Sequence, residues 1–312
     1  MKKKVIIFGC QEIAVNIINF LRKKKEIEIS LVVTYDLPLD ITYDYKIVSD
    51  FCKKNKIKYI KFSRFNDDLI NQITKINPDL IITCYFRKII PKKLINLTKS
   101  IINLHPSFLP YYRGPVPTAW AILNNEKYSG FTIHEIDSGI DTGKIIKRKK
   151  IPISNNDTGY TLYKKGMNLG YKMFKESFDI IISKKYKPIS QKEFGSYFGK
   201  LEVEQFINWQ YTVSHILNLI RVYSYPYNSA KSKIFNKYLL IDKAEIYRDK
   251  KIFAQRPGKI EKIVNGKYPV ISCSDGLIVL KKFIFVKPLN KKEKKIYLKV
   301  GNILESWWIV NE

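Results

Sequence analysis

The feature that most constrains this chain is a change of period that recurs through its first two hundred residues. Short β-branched runs alternate with longer amphipathic stretches, the signature of strands joined by crossover helices in a parallel sheet. The runs Lys4 to Phe8, Ser30 to Thr34, Tyr59 to Phe62, Leu80 to Cys84, Ile101 to Asn103 and Gly130 to Glu135 read as strands. Between the first two, residues 12–25 place Ile13, Ile17, Phe20 and Leu21 on one face at helical spacing, and a second helix reads at 67–76. The fold class that follows is α/β: an open, mostly parallel Rossmann-like sheet with helices on both faces.

The turn after the first strand, FGCQEIA, carries Gly9 alone and not the G-x-G-x-x-G of a dinucleotide fold, which argues against a nicotinamide enzyme. Gly9 itself reads equally as a tight strand-to-helix turn or as a close approach to a ligand. Near residue 190 the pattern changes. A loop-like stretch, QKEFGSYFGK, leads to a helix expected from Glu202 to Tyr223, and after Pro226 come short alternating strands separated by Asn, Asp, Gly and Pro. That spacing reads as a small β-barrel, OB-like, or a sandwich. The expected organisation is a catalytic domain over 1–190, a linker over 191–205, and a helix plus barrel over 206–312.

With 312 residues, 45% of them apolar, the chain can bury its core without a metal or a disulfide. Cys10, Cys52, Cys84 and Cys273 show no ligand spacing, which points to a reducing compartment. The apolar run after the basic start, VIIFGC, is too short for a secretory leader, and no stretch approaches the roughly 20 apolar residues of a membrane span. A cytoplasmic protein without membrane insertion is expected. The net charge of +28 invites a nucleic-acid reading, but residues 201–312 carry +10 of it, in proportion to their length, and no basic tail stands out. Lysine, isoleucine and asparagine are abundant and arginine scarce, as the codon bias of an AT-rich genome produces unaided.

The least ordinary segment is IINLHPSFLPYYRGPVPTA at 101–119. Asn103 and His105 lie two apart at the end of a β-run, so an extended backbone sends both side chains to one face. At the carboxyl end of a parallel strand that face opens on the crevice where such sheets bind ligands. Downstream, in HEIDSGIDTGKII, Asp137 and Asp141 flank a loop of Ser, Gly and Thr, and each on its own is equally a turn former. Of the other two histidines, His134 alternates with apolar neighbours and reads as structural or solvated, and His215 falls in the helix of the second domain.

The combination N-x-H-x-S-x-L-P, then Y-R-G-x-x-P, then an I-D-x-G loop ending at Asp141 resembles the formyl-tetrahydrofolate transferase family. YFGKLEVEQFINW at 197–209 is similar to the linker of its two-domain members, and RPGKI with VISCSDGLIVL at 256–280 to their terminal barrel. PYNSA at 226–230 departs from their usual PYPGA. The resemblance implies that Asn103, His105 and Asp141 are catalytic, that 10-formyltetrahydrofolate is the co-substrate, and that no metal takes part. It also implies that Tyr85, Phe86, Arg87, Ile89, Ile90, Ile136, Asp137 and Ile140 wall the pterin pocket. Ser107, Tyr111, Tyr112, Arg113 and Gly114 fall to the acceptor, arginine matching phosphate geometry and tyrosine offering a stacking face.

Two stretches bear on which amine is formylated. CYFRKII at 84–90 is more similar to the sugar enzymes than to the Y-G-Q-I-L-P version of the tRNA enzymes. The stretch 34–48 carries Asp36, Asp40 and Asp44 against a lone Lys46, an acidic loop poorly suited to a phosphate backbone. The expected acceptor is a nucleotide-linked amino sugar (UDP or dTDP) of surface polysaccharide synthesis, with methionyl-tRNA as the alternative. A homodimer is compatible with the expected elements.

Overall fold

The computed structural model describes residues 1–35, 47–192, 194–201, 205–254 and 256–306. They form two compact units. The first comprises Met1–Thr118, Tyr128–Pro152 and Tyr163–Gly199; the second comprises Ala119–Lys127, Ile153–Leu162 and residues from Lys200 on.

In the first unit seven strands form one sheet: β1 (Lys3–Gly9), β2 (Ile27–Thr34), β3 (Tyr59–Lys61), β4 (Leu80–Cys84), β5 (Ile101–His105), β6 (Tyr128–Glu135) and β7 (Ile145–Pro152), in the order β3-β2-β1-β4-β5-β6-β7. The first five are parallel to their neighbours, whereas β5–β6 and β6–β7 are antiparallel. The strands at the centre, VIIF in β1 and LII in β4, are apolar at successive positions because both faces are covered. The helices of this half of the chain are α1 (Gln11–Leu21), α2 (Val48–Lys54), α3 (Asp67–Ile76), α4 (Lys92–Leu97), α5 (Pro117–Leu123) and α6 (Gly159–Ile182).

On one face, Leu69 and Ile73 of α3 and Leu94 of α4 close over Ile6, Phe8, Leu31, Val33, Ile81 and Ile101. On the other, Gly170 of α6 lies against the Phe131 ring of β6, where an added Cβ would come within 2.2 Å of a ring carbon. Phe174 and Phe178 of the same helix meet Phe20 of α1 edge to face. Local sequence sets the helix ends. Asn66 caps α3 by accepting from the Leu69 N–H, two aspartates occupy its first turn, and Asn77 ends it in the left-handed region at φ 48°. Helix α1 stops at Leu21 rather than running to residue 25, since the KKK run turns and sends Lys24 to Asp179 at 3.1 Å. Gly9 resolves as a packing glycine: a Cβ there would lie 2.8 Å from both Ala14 Cβ and Cys84 Sγ.

In the second unit, α7 (Val213–Tyr223) begins eleven residues later than expected from Glu202, with Thr212 as its cap. Residues 205–207 are held extended instead, because Ile207 donates to the Lys231 carbonyl and Lys231 to that of Gln205. Strands β8 (Ala230–Ile234), β9 (Lys237–Tyr247), β10 (Ile260–Val264), β11 (Tyr268–Ser272) and β12 (Leu277–Phe285) form an antiparallel sheet in the order β10-β11-β12-β9-β8, and α8 (Lys291–Tyr297) follows. Its two edges are closed by one segment. Leu304 donates to the Gly258 carbonyl beside β10, and Glu305 to the Lys233 carbonyl of β8, which makes the sheet barrel-like. Among the described residues no helix is long and apolar enough to cross a membrane.

Candidate active site

Strand β5 carries Asn103 and His105 on one face, and the register of its neighbours completes that face. Thr83 of β4 is paired beside Asn103, and His134 of β6 is paired across from it. His134 was expected to be structural or solvated. It is 1% exposed, so it is not solvated, and its Nε2 lies 3.2 Å from Asn103 Nδ2 and 3.5 Å from Asp141 Oδ1, which makes it part of the cluster. Alternation along FTIHEID put it on a face, but only the antiparallel register could show which residue it faced.

Asp141 arrives from the loop after β6 with φ 55°, a left-handed conformation uncommon for a residue with a side chain. Gly143 lets that loop fold back, since a Cβ there would strike the Glu135 carbonyl oxygen at 1.8 Å. The carboxylate accepts from Asn103 Nδ2 at 3.3 Å and from the Gly114 N–H at 2.9 Å, and lies 3.5 Å from His105 Nδ1. Asn103 is oriented by its partners. The Thr83 hydroxyl donates to Oδ1 at 2.8 Å, with the Ile102 carbonyl 3.1 Å away as competing acceptor, so the amide nitrogen points at the carboxylate.

The same logic assigns protons to the rings. His134 Nδ1 lies 2.7 Å from the Glu135 carbonyl and must donate to it, which leaves Nε2 to accept from Asn103. His105 Nε2 lies 3.0 Å from the Tyr112 carbonyl and donates there, so the neutral ring presents its lone pair at Nδ1, toward Asp141. Burial pushes the His105 pKa below its ordinary value; Asp141 and the Tyr112 carbonyl act the other way, and His134 adds to the lowering. For Asp141, burial would raise the pKa, but His105, His134 and the Gly114 N–H outweigh it and hold the carboxyl well below the usual range. The site therefore pairs a neutral base with a firmly ionised carboxylate.

The segment after α6, part of it expected to be linker, is bonded into this unit as a strap. Ile189 and Ile145 exchange two backbone bonds of 2.8 Å. Gln191 donates to the carbonyls of Asp141 at 2.9 Å and Gly143 at 2.7 Å and accepts from Arg113 Nη2 at 2.8 Å. Ser196 accepts the Tyr112 N–H, and Phe198 stacks on the Tyr112 ring at 4.9 Å and 10°. Gln191 had no signal in the sequence and His134 only its alternation; each is found as part of the cluster through its partners.

The other expected site residues separate into two groups. Ile89, Arg87, Ile140 and Tyr111 are exposed, and Tyr85 stands at φ 52° beside Tyr163. Phe86 packs inward in a ring cluster with Phe8, Phe62 and Tyr35, Ile90 is in the core, and Ile136 is packed against it. Asp137 accepts from the Gly139 N–H and the Thr142 hydroxyl, an Asx turn closing its own loop. Ser107 is buried and spends its hydroxyl on the Tyr111 carbonyl. Arg113 is half-buried, and its Nε has no hydrogen-bond partner. The acidic stretch with Asp36, Asp40, Asp44 and Lys46 lies outside the described residues. Among the described residues no group of three ligating side chains is placed to hold a metal.

Known proteins resemble this chain over most of its length. A family model described as formyl transferase matches residues 1–178, and one described as formyl transferase, C-terminal domain, matches 201–296. A methionyl-tRNA formyltransferase of Thermodesulfovibrio yellowstonii is 31% identical over 305 residues, 94% of this chain and 93% of that protein. The bifunctional polymyxin resistance protein ArnA of Wigglesworthia glossinidia brevipalpis is 31% identical over 274 residues, 86% of this chain but 41% of its own length. Among solved structures, an N-formyltransferase from Helicobacter canadensis in complex with folinic acid and dTDP-3-aminofucose superposes with a TM-score of 0.71 at 27% identity, over 90% of this chain and 100% of that one. WlaRD, a sugar 3N-formyl transferase crystallised with dTDP and 5-N-formyl-THF, gives 0.69 at 29% identity, over 93% and 100%.

Proposed function

This chain belongs to the formyl transferase family, and we propose that it moves the formyl group of 10-formyltetrahydrofolate to the amine of a nucleotide-linked amino sugar, activated with UDP or dTDP, for a surface polysaccharide. One observation carries the transfer chemistry: a buried imidazole whose Nε2 is spent on the Tyr112 carbonyl, leaving the Nδ1 lone pair beside an ionised carboxylate that also holds the oriented amide of Asn103. Asn103 has two amide hydrogens, engaged by His134 and Asp141, and yields one to the oxygen of the formyl group as negative charge develops there. His105 Nδ1 accepts the proton that the attacking amine must lose, and the Asp141 carboxylate stabilises the imidazolium that results. As the new C–N bond forms and the bond from the formyl carbon to the folate nitrogen breaks, the same proton is passed to that nitrogen.

The exposed Ile89 and Ile140 suit the apolar faces of a pterin, with Tyr85 and Arg87 beside them, while Phe86, Ile90, Ile136 and Asp137 shape these loops from behind. Arg113, Tyr111 and Tyr112 serve the nucleotide, with Gly114 and Ser107 holding their loop. The sugar acceptor is supported by the two sugar enzymes just described and by the acidic stretch at 36–44. Methionyl-tRNA remains the second reading, favoured by relatives of that name at 31% identity. Incubation with formyl-tetrahydrofolate and either UDP- or dTDP-linked amino sugars or charged initiator tRNA separates the two. A mass gain of one formyl group on the sugar nucleotide is expected, and reaction of the tRNA alone overturns the sugar assignment.

A further inference from the structure

The strap supplies a residue that touches neither reacting group yet fixes one that does. Asp141 reaches the cluster only by standing at φ 55°, on a loop whose return is set by Gly143. Such a conformation persists only where surrounding bonds over-determine it. Gln191 provides them, with one amide nitrogen bonded to the carbonyls of both Asp141 and Gly143. Its oxygen, turned the other way, accepts from Arg113 Nη2, and the Arg113 backbone is itself paired with Ser196 and Phe198 of the same strap. One side chain thus joins the loop that carries the carboxylate to the loop proposed for the acceptor. The orientation of the amide is not arbitrary, since two carbonyls demand donors and a guanidinium demands an acceptor.

We propose that Gln191 is a positioning residue for formyl transfer, holding the Asp141 carboxylate at its distance from His105 Nδ1 and coupling that distance to Arg113. This rests on the catalytic reading of Asp141 given above. The test compares Gln191→Met, which keeps length and packing without donor or acceptor, with Gln191→Ala and with Asp141→Asn, in the full chain with formyl-tetrahydrofolate and the acceptor found to react.

For Gln191→Met, kcat falls roughly 10- to 100-fold, the range for a supporting hydrogen bond or a slight misplacement. KM for formyl-tetrahydrofolate stays near the parent value. The acid limb of the kcat/KM profile moves to lower pH, because an imidazolium with its carboxylate displaced is less stabilised. A merely structural role would lower the active fraction and leave the limb in place. Parent kcat and an unmoved acid limb in Gln191→Met, with transfer lost in Asp141→Asn, would overturn the proposal and leave the catalytic reading standing. Full transfer by Asp141→Asn would overturn the catalytic reading itself and with it the role of Gln191. Should Gln191→Ala fail to fold, as followed by circular dichroism, the isosteric methionine variant still decides.

Discussion

At the scale of single residues, what matters is that every proton of the cluster has an assigned place. Asn103 has no spare donor, since Thr83 holds its oxygen and His134 and Asp141 share its nitrogen. In the proposed mechanism these neighbours compete with the developing oxyanion for its hydrogens. Asn103→Ala should therefore lower kcat by roughly 10²- to 10³-fold, the loss typical of one oxyanion donor, with KM little changed; steady-state kinetics measure it. His105 gives the pH dependence. Its native pKa lies below its ordinary 6.5, so the unfolded chain binds that proton more readily than the native one. Stability associated with the ring is present above pH 6.5 and is lost as pH falls through the native value. The same ionisation sets the acid limb of kcat/KM, which should fall below pH 6.5 and not above it. A limb above 6.5 would mean that His105 is not the group that must be neutral.

Elements position these residues by register and by close approach. The motif at 101–119 was legible because proline and a two-residue spacing are local properties: a strand must end where P-S-F-L-P begins, and residues two apart share a face. Helix α3 was equally legible from its Asn-Asp-Asp start. The start of α7 was not, since pairing of 205–207 with β8 overrode helical periodicity across that stretch. Gly114 shows how an element boundary reaches the chemistry. It stands at φ 94°, a Cβ there would lie 2.4 Å from the Phe198 carbonyl oxygen, and its N–H is bonded to Asp141. Gly114→Ala should cost about 1–3 kcal/mol in thermal unfolding and reduce transfer as well. Gly199→Ala, with open space around the new methyl and no positive φ, should shift stability by no more than about 0.5 kcal/mol.

For the molecule as a whole, several of the many lysines have ordinary structural uses. Lysine ammonium groups lie over rings, as Lys24 does over Phe20 and Phe178 and Lys282 over Tyr225, and others pair with carboxylates. The second unit has its own anchor. Trp209 is fully buried, its indole N–H donates to Ser232 and its backbone N–H to Ser306. Trp209→Ala should destabilise that unit by about 3–5 kcal/mol, lowering its calorimetric transition, whereas Trp209→Phe should cost less because most of the apolar volume is kept.

The sequence by itself determined the alternation of strands and helices, the doubly covered sheet, the strand-end pair Asn103 and His105, and, through the joint motif, the family. These are carried by periods and spacings that operate within a few residues. Tertiary structure alone decided that His134 faces Asn103, that Gln191 is bonded to the loop of Asp141, that Phe86 and Ile90 pack against the core, and that Ser107 spends its hydroxyl on the Tyr111 carbonyl. Such placements depend on cross-strand register and on bonds between residues dozens of positions apart, which no local pattern encodes. The resting protonation of the cluster follows from the same cause, because a ring nitrogen acquires its role only from the atom it meets.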